Sequence, residues 1–382
     1  MKRADYLRVL PLIESIEKDN KDDESTPLDR GSEDVKELIK GINIILFGTP
    51  DLENINTKKE WVSKILSFVR DQIKRPGQID RDFYYAIMYA EVVSASDMEQ
   101  AAVRSFMKMD EVTRGRYIKF YHDFSHFWGE LDLSGEKKGA IGERVSILKE
   151  KADDFNWLYE RLSDYRSKRV LSNMLNNWRT FDVNLIAGMK ENSFPDYFDP
   201  DVFEFDEDEV LVDLGAYIGD TALEYIDNVG RYKKIYCYEI TDESVAKMEK
   251  RLRPYPDISI RQKGVGDKKG VMHLEKSKVR NTANRLQRGD GDEIQVVTLD
   301  EDIQDKITFL KMDIEGAEQA AILGCREHIL RDRPKLAISV YHSNRDIYEI
   351  PRLISSIRDD YRYYLRSHGN QWAPSEITLF GV

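Results

Sequence analysis

The sequence is poor in cysteine and lacks any long uncharged apolar run. Of its 382 residues only Cys237 and Cys325 are cysteines, far apart and each inside an apolar segment. This arrangement favours buried free thiols over a disulfide or a zinc site. No stretch approaches the roughly 20 apolar residues of a membrane helix, and charges interrupt the first residues, unlike a secretory signal. These absences predict a cytoplasmic protein without a membrane span.

Positive charge is also scarce relative to negative charge. Lys and Arg number 58 against 70 Asp and Glu, which gives a net charge of −12. Binding to nucleic acid through phosphate contacts needs concentrated Lys and Arg. We therefore expect no nucleic-acid partner and attribute the acidity to solubility. The hydrophobic fraction of 41% is ordinary for a soluble chain, and the length suits two domains.

The texture of the sequence changes near residue 190. Helical periodicity dominates residues 59–179, whereas residues 14–36 are polar and acidic and are predicted to be flexible. Two prolines and several turn formers fill residues 191–201. We predict a mostly helical domain over residues 1–190 and a second domain over residues 191–382.

The second domain alternates short apolar segments with helical patterns, which predicts a mainly parallel sheet covered on both faces. The candidate strands are 209–213, 234–239, 257–262, 307–312, 335–341, 361–366 and 376–381. The candidate helices are 219–228, 242–253, 315–330 and 347–358. The link between the last two strands is too short for a crossover helix, so that pair is predicted to be antiparallel.

A glycine loop follows the first of these strands. Asp213 ends the strand, Gly215 turns the chain, and Gly219 opens the next helix, with Tyr217 between the glycines. This strand–loop–helix order is typical of nucleotide-binding units. The spacing is looser than the Gly-x-Gly-x-x-Gly pattern that seats a pyrophosphate. It suits a ligand that lacks phosphate and carries a cation, such as S-adenosylmethionine (SAM).

Two further acidic residues could bind parts of such a ligand. Glu239 ends the second strand 20 residues after Gly219, the offset at which a carboxylate reaches ribose hydroxyls; the alternative is that it only precedes a helix capped by Thr241. Asp267 follows the third strand and could accept from an exocyclic amine of adenine. A plain turn into a hairpin at Val271 explains Asp267 equally well.

The fourth and fifth strands end in residues suited to catalysis. Asp313 and Glu315 follow one strand, and Tyr341 and His342 end the next. Carboxylates at this edge could hold an ammonium group or orient a hydroxyl, and a histidine near neutral pKa is a natural base. Helix capping by Asp313 and an ordinary surface histidine are the alternatives.

No metal site is predicted. His122 and His126 are spaced to share one helical face, but no third ligand is in reach and aromatic residues surround them. A metal site that includes Asp313 has no clear second ligand. The polar loop 281–284 could reach over the substrate, and a solvated loop is the alternative.

On these residues, with the runs Lys311–Glu318, Tyr197–Val202 and Val297–Asp300, the last 190 residues or so resemble the FkbM family of SAM-dependent methyltransferases. The resemblance implies the class I methyltransferase fold, a Rossmann-like mixed sheet of seven strands with the last antiparallel. It also implies methyl transfer to an oxygen of a small molecule, a sugar, a glycan precursor or a secondary metabolite.

The resemblance further implies roles for individual residues. The methionine part of SAM would be lined by Asp213, Gly215, Tyr217 and Gly219. Glu239 would hold the ribose and Asp267 the adenine, while Asp313 would lie near the sulfonium and the amino group. Glu315 and His342 would face the acceptor, with Asp313 beside them as a third catalytic residue. An NAD(P)-linked oxidoreductase and a non-catalytic SAM-binding scaffold or sensor remain alternatives, and the helical domain could cover the site, select substrate or form a homodimer.

Overall fold

We describe the protein from a computed structural model over residues 78–131, 133, 139–275, 285–287, 292–369 and 374–382. The expectations for residues 14–36 and for the loop 281–284 lie outside these ranges. So does the part of the first predicted domain that precedes residue 78.

The described residues between 78 and 187 are mostly helical, as their periodicity predicts. Their helices are α1 (Gln78–Val92), α2 (Ala95–Met107), α3 (Glu111–Asp123), α4 (Ser125–Trp128), α5 (Ala140–Glu150), α6 (Ala152–Arg161), α7 (Tyr165–Thr180) and α8 (Val183–Ala187). Side-chain oxygens of Ser94, Asp110 and Asp164 accept from backbone N–H groups in the first turns of α2, α3 and α7, which satisfies donors that have no helical partner. Within the described ranges, every helix is too short or too polar to cross a membrane.

The remainder of the chain forms a seven-stranded sheet. Its strands are β1 (Val210–Leu214), β2 (Lys234–Glu239), β3 (Ile258–Gln262), β8 (Phe309–Met312), β9 (Lys335–Ser339), β10 (Tyr363–Ser367) and β11 (Ile377–Gly381). Their order is β10-β11-β9-β8-β1-β2-β3, and only β11 runs antiparallel to its two neighbours. The sheet confirms the predicted class I methyltransferase fold and its antiparallel end strand.

Helices cover this sheet on both faces. They are α9 (Asp220–Asn228), α10 (Asp242–Leu252), α11 (Leu299–Asp302), α12 (Glu318–Gly324), α13 (Arg326–Asp332) and α14 (Asp346–Ile357). The single helix predicted over 315–330 is thus two helices. Gly324 is the last residue of the first of them, and an added Cβ there would lie 1.9 Å from the carbonyl oxygen of Gly266, so only glycine fits at this position.

A second, smaller sheet was not predicted as such. It contains β4 (Gly264–Val265), β5 (Gly270–Glu275), β6 (Arg285–Gln287) and β7 (Asp292–Val297) in the order β4-β7-β5-β6. The sequence indicated only the hairpin that β5 begins. These strands are short or exposed on one face, so they lack the continuous apolar runs that reveal the buried strands of the large sheet.

The helical region and the large sheet share one core. Phe155 in α6 packs edge-to-face on Tyr348 in α14, with ring centroids 5.5 Å apart. Single bridges join Leu162 to Tyr363 and Lys190 to Ser367 at strand β10. The helical region is therefore fixed against the sheet. The domain boundary at residue 190 stays a prediction.

Candidate active site

The carboxyl ends of β1, β2, β8 and β9 meet at one edge of the large sheet. The loop after β1 begins at Gly215, whose φ is +78°. A Cβ there would lie 1.9 Å from the carbonyl oxygen of Asp313, so the loop can pass the end of β8 only with glycine. The N–H groups of Gly215 and Ala216 both donate to the carbonyl of Tyr238, at 3.0 and 2.9 Å. The loop is therefore fixed to both neighbouring strands.

The second glycine of the loop is required by packing. Gly219 has a φ of +76°, and a Cβ there would lie 2.9 Å from Leu252 Cδ1 and 3.0 Å from Met248 Cγ of α10. Gly215 and Gly219 thus both have a structural role, because each allows a neighbouring element to approach the loop closely.

Glu239 is bound by the backbone around it. Its Oε1 accepts from the N–H groups of Ile240 and Thr241 and from the Thr241 hydroxyl, at 2.8 to 3.0 Å. Its Oε2 accepts from the N–H of Tyr217 at 3.0 Å. Thr241 occupies the N-cap position of α10 but makes no side-chain cap bond. Only Oε2 thus retains acceptor capacity. Glu239 can therefore accept from one ligand hydroxyl, at Oε2, and cannot bind two hydroxyls with one on each oxygen.

Asp213 is fully buried under the loop and is matched by a lysine. Lys311 Nζ lies 2.8 Å from Asp213 Oδ1, and both side chains are at most 2% exposed. The same ammonium donates to the carbonyl oxygen of Gly215 at 2.9 Å. Burial raises the pKa of the Asp213 carboxyl although Lys311 opposes the shift. Asp213 therefore acts on the loop through Lys311, a partner that the sequence argument did not identify.

A second group of charges lies at the ends of β8 and β9. His342 is 3% exposed, and its Nδ1 lies 2.9 Å from Glu318 Oε1. Its Nε2 lies 3.4 Å from Asp313 Oδ1 and 3.5 Å from Glu315 Oε2. The structure thus brings together the three residues predicted to be catalytic. It adds Glu318 to this group. Glu318 entered the sequence-based prediction only as the end of the run Lys311–Glu318, which supports the family resemblance.

Carboxylates outnumber cations in this group, which shifts the pKa values of its members. Burial and the charge of Asp313 raise the pKa of Glu376 to about 7, and burial raises that of Glu315 to about 8. Burial acts to lower the pKa of His342, but the neighbouring carboxylates outweigh burial and raise it to about 10. The imidazole therefore carries a proton at neutral pH, and in that form it cannot act as the predicted base.

Two tyrosines bind the oxygens of Asp313. The hydroxyl of Tyr197 donates to Oδ2 at 2.8 Å, and that of Tyr341 donates to Oδ1 at 3.3 Å. Tyr197 comes from the segment before β1, so its approach to Asp313 depends on tertiary structure that periodicity does not report. Backbone strain also concentrates here, because Tyr217, Glu315 and Glu376 have φ values of +45°, +57° and +51°. Non-glycine residues with positive φ are uncommon and cluster at functional sites.

The helical region forms a wall beside His342. The ring of Phe127 in α4 lies 5.0 Å from the His342 ring, centroid to centroid. Trp128 Nε1 donates to the carbonyl oxygen of Tyr341 at 2.6 Å. Asn344 accepts from Arg144 Nε at 3.0 Å. The short helix α4 is therefore held against the end of β9.

The remaining candidates lie away from this group. Asp267 is exposed in the turn between β4 and β5, which agrees with the turn alternative and leaves a contact with adenine untested. His122 and His126 do not share a helix, because α3 ends at Asp123 and α4 begins at Ser125. His122 Nδ1 lies 3.3 Å from Glu130, and the His126 ring packs on Phe127. Asp300 accepts from the N–H groups of Glu327 and His328 and so caps α13.

Residues 213–371 match the family model for the methyltransferase FkbM domain. Among solved structures, the chain is similar to the methyltransferase FkbM from Methylobacillus flagellatus KT, with 28% sequence identity and a TM-score of 0.54. That match covers 63% of this chain and 62% of the other, so the chain spans less than two thirds of that protein's length.

Two weaker similarities concern an rRNA methylase and a fibrillarin. One is to an rRNA methylase from Streptococcus thermophilus, at 17% identity and a TM-score of 0.29 over 46% of this chain and 86% of that one. The other is to fibrillarin from Aeropyrum pernix with natively bound SAM, at 16% identity and a TM-score of 0.29 over 46% and 67%. Similarity at this level carries no argument about the present chain. No curated protein matches the sequence.

Proposed function

We propose that this protein, whose residues 213–371 match the family model for the FkbM methyltransferase domain, transfers the methyl group of SAM to a hydroxyl of a small acceptor. The acceptor is a sugar, a glycan precursor or a secondary metabolite. The proposal is supported most by the position of Glu239, which lies at the end of β2 beside the glycine loop. The two cysteines of the chain are buried and free, which suits the reducing cytoplasm.

The residues at the sheet edge fit SAM on two counts. Glu239 Oε2 is held by one backbone donor and keeps acceptor capacity for a ribose hydroxyl. The carboxylates near His342 outnumber the cations that face them, which favours a positively charged ligand nearby. We propose that Gly215, Tyr217 and Gly219 shape the floor of the cofactor site and that Asp213 supports it through Lys311.

When bound, SAM supplies a methyl carbon attached to a sulfonium, a good leaving group. The task left to the chain is to align the acceptor hydroxyl and to exclude water. We assign that task to the end of β9 and to α4, because Phe127 and Trp128 hold His342 and Tyr341 in place there. Glu315, on the same rim, faces the acceptor in this arrangement.

Calorimetric titration of the full chain with SAM, S-adenosylhomocysteine and NAD tests the cofactor assignment. We expect SAM to bind with micromolar affinity and NAD to give no binding heat. Glu239→Gln removes the ionised acceptor, so we expect about 5- to 150-fold weaker SAM binding, equivalent to about 1–3 kcal/mol. Glu243→Gln changes an exposed glutamate that pairs only with Lys247, so it should bind SAM as the parent does.

Three outcomes separate the alternatives. Binding of NAD without SAM would indicate the oxidoreductase. Unchanged SAM affinity in Glu239→Gln would remove Glu239 from the site. The acceptor is then sought by mass spectrometry after incubation with SAM and with sugars, glycolipid precursors and small hydroxylated metabolites. SAM binding without a methylated product in such a screen would favour the scaffold or sensor.

A further inference from the structure

The group of charges around His342 contains a set of side chains suited to a metal ion. One ligand atom each from Asp313, Glu318 and His342 lies within 4.8 Å of the other two. Zinc and similar ions lie about 2.0–2.2 Å from nitrogen and oxygen ligands, so neighbouring ligands of one tetrahedral ion are about 3.3–3.6 Å apart. Side-chain shifts of about 1 Å would therefore bring the three atoms around a single ion.

A second observation comes from the histidine itself. Both ring nitrogens of His342 are buried, and within the described residues neither makes a hydrogen bond of acceptable direction. The carboxylate oxygen of Glu318 lies 2.9 Å from Nδ1 and favours the protonated ring. Buried polar atoms are rarely left in this state, and an ion is one of the explanations for it.

Another buried histidine in the same chain shows the contrast. His328 also pairs with a carboxylate, at 2.7 Å from Nδ1 to Asp332 Oδ2. Here Nδ1 makes a proper hydrogen bond, and Nε2 lies 3.1 Å from the carbonyl oxygen of Ile303. Both nitrogens of His328 are thus satisfied by the protein, whereas those of His342 are not. The ring nitrogens of His368 are also without hydrogen bonds, but His368 faces the Asp196 carboxylate at 3.8 Å, whereas His342 faces three carboxylates within 3.5 Å.

Carboxyl groups face His342 from both sides of its ring. Besides Asp313 and Glu318, the Glu315 carboxyl lies close, with Oε2 at 3.5 Å from Nε2 of the histidine. The nearby ammonium of Lys311 is paired with Asp213. A divalent ion would take the place of the proton that His342 carries at neutral pH, since a ligating imidazole must be neutral.

We propose that Asp313, Glu318 and His342 form a binding site for a divalent transition-metal ion. One imidazole nitrogen and two carboxylates suit Mn²⁺, Zn²⁺ or Fe²⁺ better than Ca²⁺ or Mg²⁺, which prefer oxygen ligands alone. Asp313 then serves the ion rather than the amino group of SAM. Glu315, with its Oε2 at 3.5 Å from Nε2 of the histidine, lies at the rim of the site.

An ion here would have a chemical task in the proposed methyl transfer. Metal-bound hydroxyl groups lose their proton more readily, because the cation stabilises the resulting oxyanion. The acceptor hydroxyl could thus be activated without a free histidine base. This task rests on the function proposed above, whereas the metal site itself does not.

Electron paramagnetic resonance of Mn²⁺ tests the site without SAM or acceptor. The full chain, freed of metal with a chelator, is titrated with MnCl₂, and free Mn²⁺ is read from its signal. We expect one Mn²⁺ per chain, displaced by Zn²⁺, and a higher melting temperature when Mn²⁺ is bound. Glu318→Gln should weaken Mn²⁺ binding by about 10- to 100-fold, and His342→Gln by at least as much.

The matched control is His328→Gln, which alters the other buried histidine and should bind Mn²⁺ like the parent. Absence of stoichiometric binding by both Mn²⁺ and Zn²⁺ would overturn the proposal. So would equal Mn²⁺ affinity in His342→Gln and the parent. If a variant does not fold, anomalous scattering from a Mn²⁺-soaked crystal of the parent locates the ion directly, and an ion elsewhere also refutes the site. SAM titration is a separate measurement, so either proposal can fail alone.

Discussion

The two halves of the carboxyl edge of the large sheet differ in how their buried charges are paired. On the side of β1 and β2, each carboxylate has fixed partners. Asp213 faces Lys311 at 2.8 Å, and Glu239 accepts four hydrogen bonds. At the ends of β8 and β9, the carboxylates of three residues lie within 3.5 Å of the single imidazole of His342.

This difference separates structural from functional charge. A matched buried pair contributes a defined geometry, and removing one partner is costly. An unmatched group costs free energy in the free protein, and it is retained where an external ligand completes it. We therefore expect mutations in the matched half to lower the stability of the fold. Mutations in the unmatched half should mainly weaken ligand binding.

The largest expected effect comes from breaking the matched pair. Lys311→Met leaves Asp213 buried without its counter-charge, so we expect the free energy of unfolding to fall by about 3–5 kcal/mol. Urea denaturation measures the change. Adding Asp213→Leu to the same chain removes the stranded charge and should recover most of the loss. If the Lys311→Met single variant were as stable as the parent, the assignment of Asp213 and Lys311 as a matched pair would be contradicted.

The second expected effect is smaller and is an increase in the free energy of unfolding. Glu376→Gln removes one of the crowded carboxylates, whose pKa is raised to about 7 by burial and by Asp313. A carboxyl with a raised pKa destabilises the fold once pH rises above the pKa of the unfolded chain, near 4.5. We therefore expect the variant to be more stable than the parent by about 3 kcal/mol at pH 8 and nearly equal to it near pH 4.5.

Urea denaturation at both pH values checks this sign. Glu243→Gln is the control, because this exposed glutamate lies outside the group. A loss of stability at pH 8 in Glu376→Gln would show that the carboxylate is matched after all, and the comparison between the two halves would fail.

The sequence predicts the large sheet well because its strands are buried apolar runs between helices. The seven predicted strands lie within a few residues of the observed ones, as in 234–239 against Lys234–Glu239. The antiparallel end strand follows from the short link alone. The small sheet was missed because its strands are short or exposed on one face. The glycine at position 324, between α12 and α13, is required by the close approach to Gly266, which no local pattern reports.

For the candidate site, the sequence predicts which residues end the strands but not how their charges are matched. Asp313, Glu315 and His342 were named because strand ends converge at one edge. Lys311 was not identified as the partner of Asp213, although the parallel register places the two side by side on β8 and β1. Tyr197 and the wall formed by α4 arise from contacts distant in sequence, so periodicity could not reveal them.

The most direct test of the account is a crystal structure of the full chain with S-adenosylhomocysteine, the demethylated form of SAM. We predict the ligand at the carboxyl edge, with a ribose hydroxyl against Glu239 Oε2 and its sulfur turned toward the rim of Asp313 and His342. A ligand bound elsewhere, or an edge that stays closed to it at saturating concentration, would contradict the account.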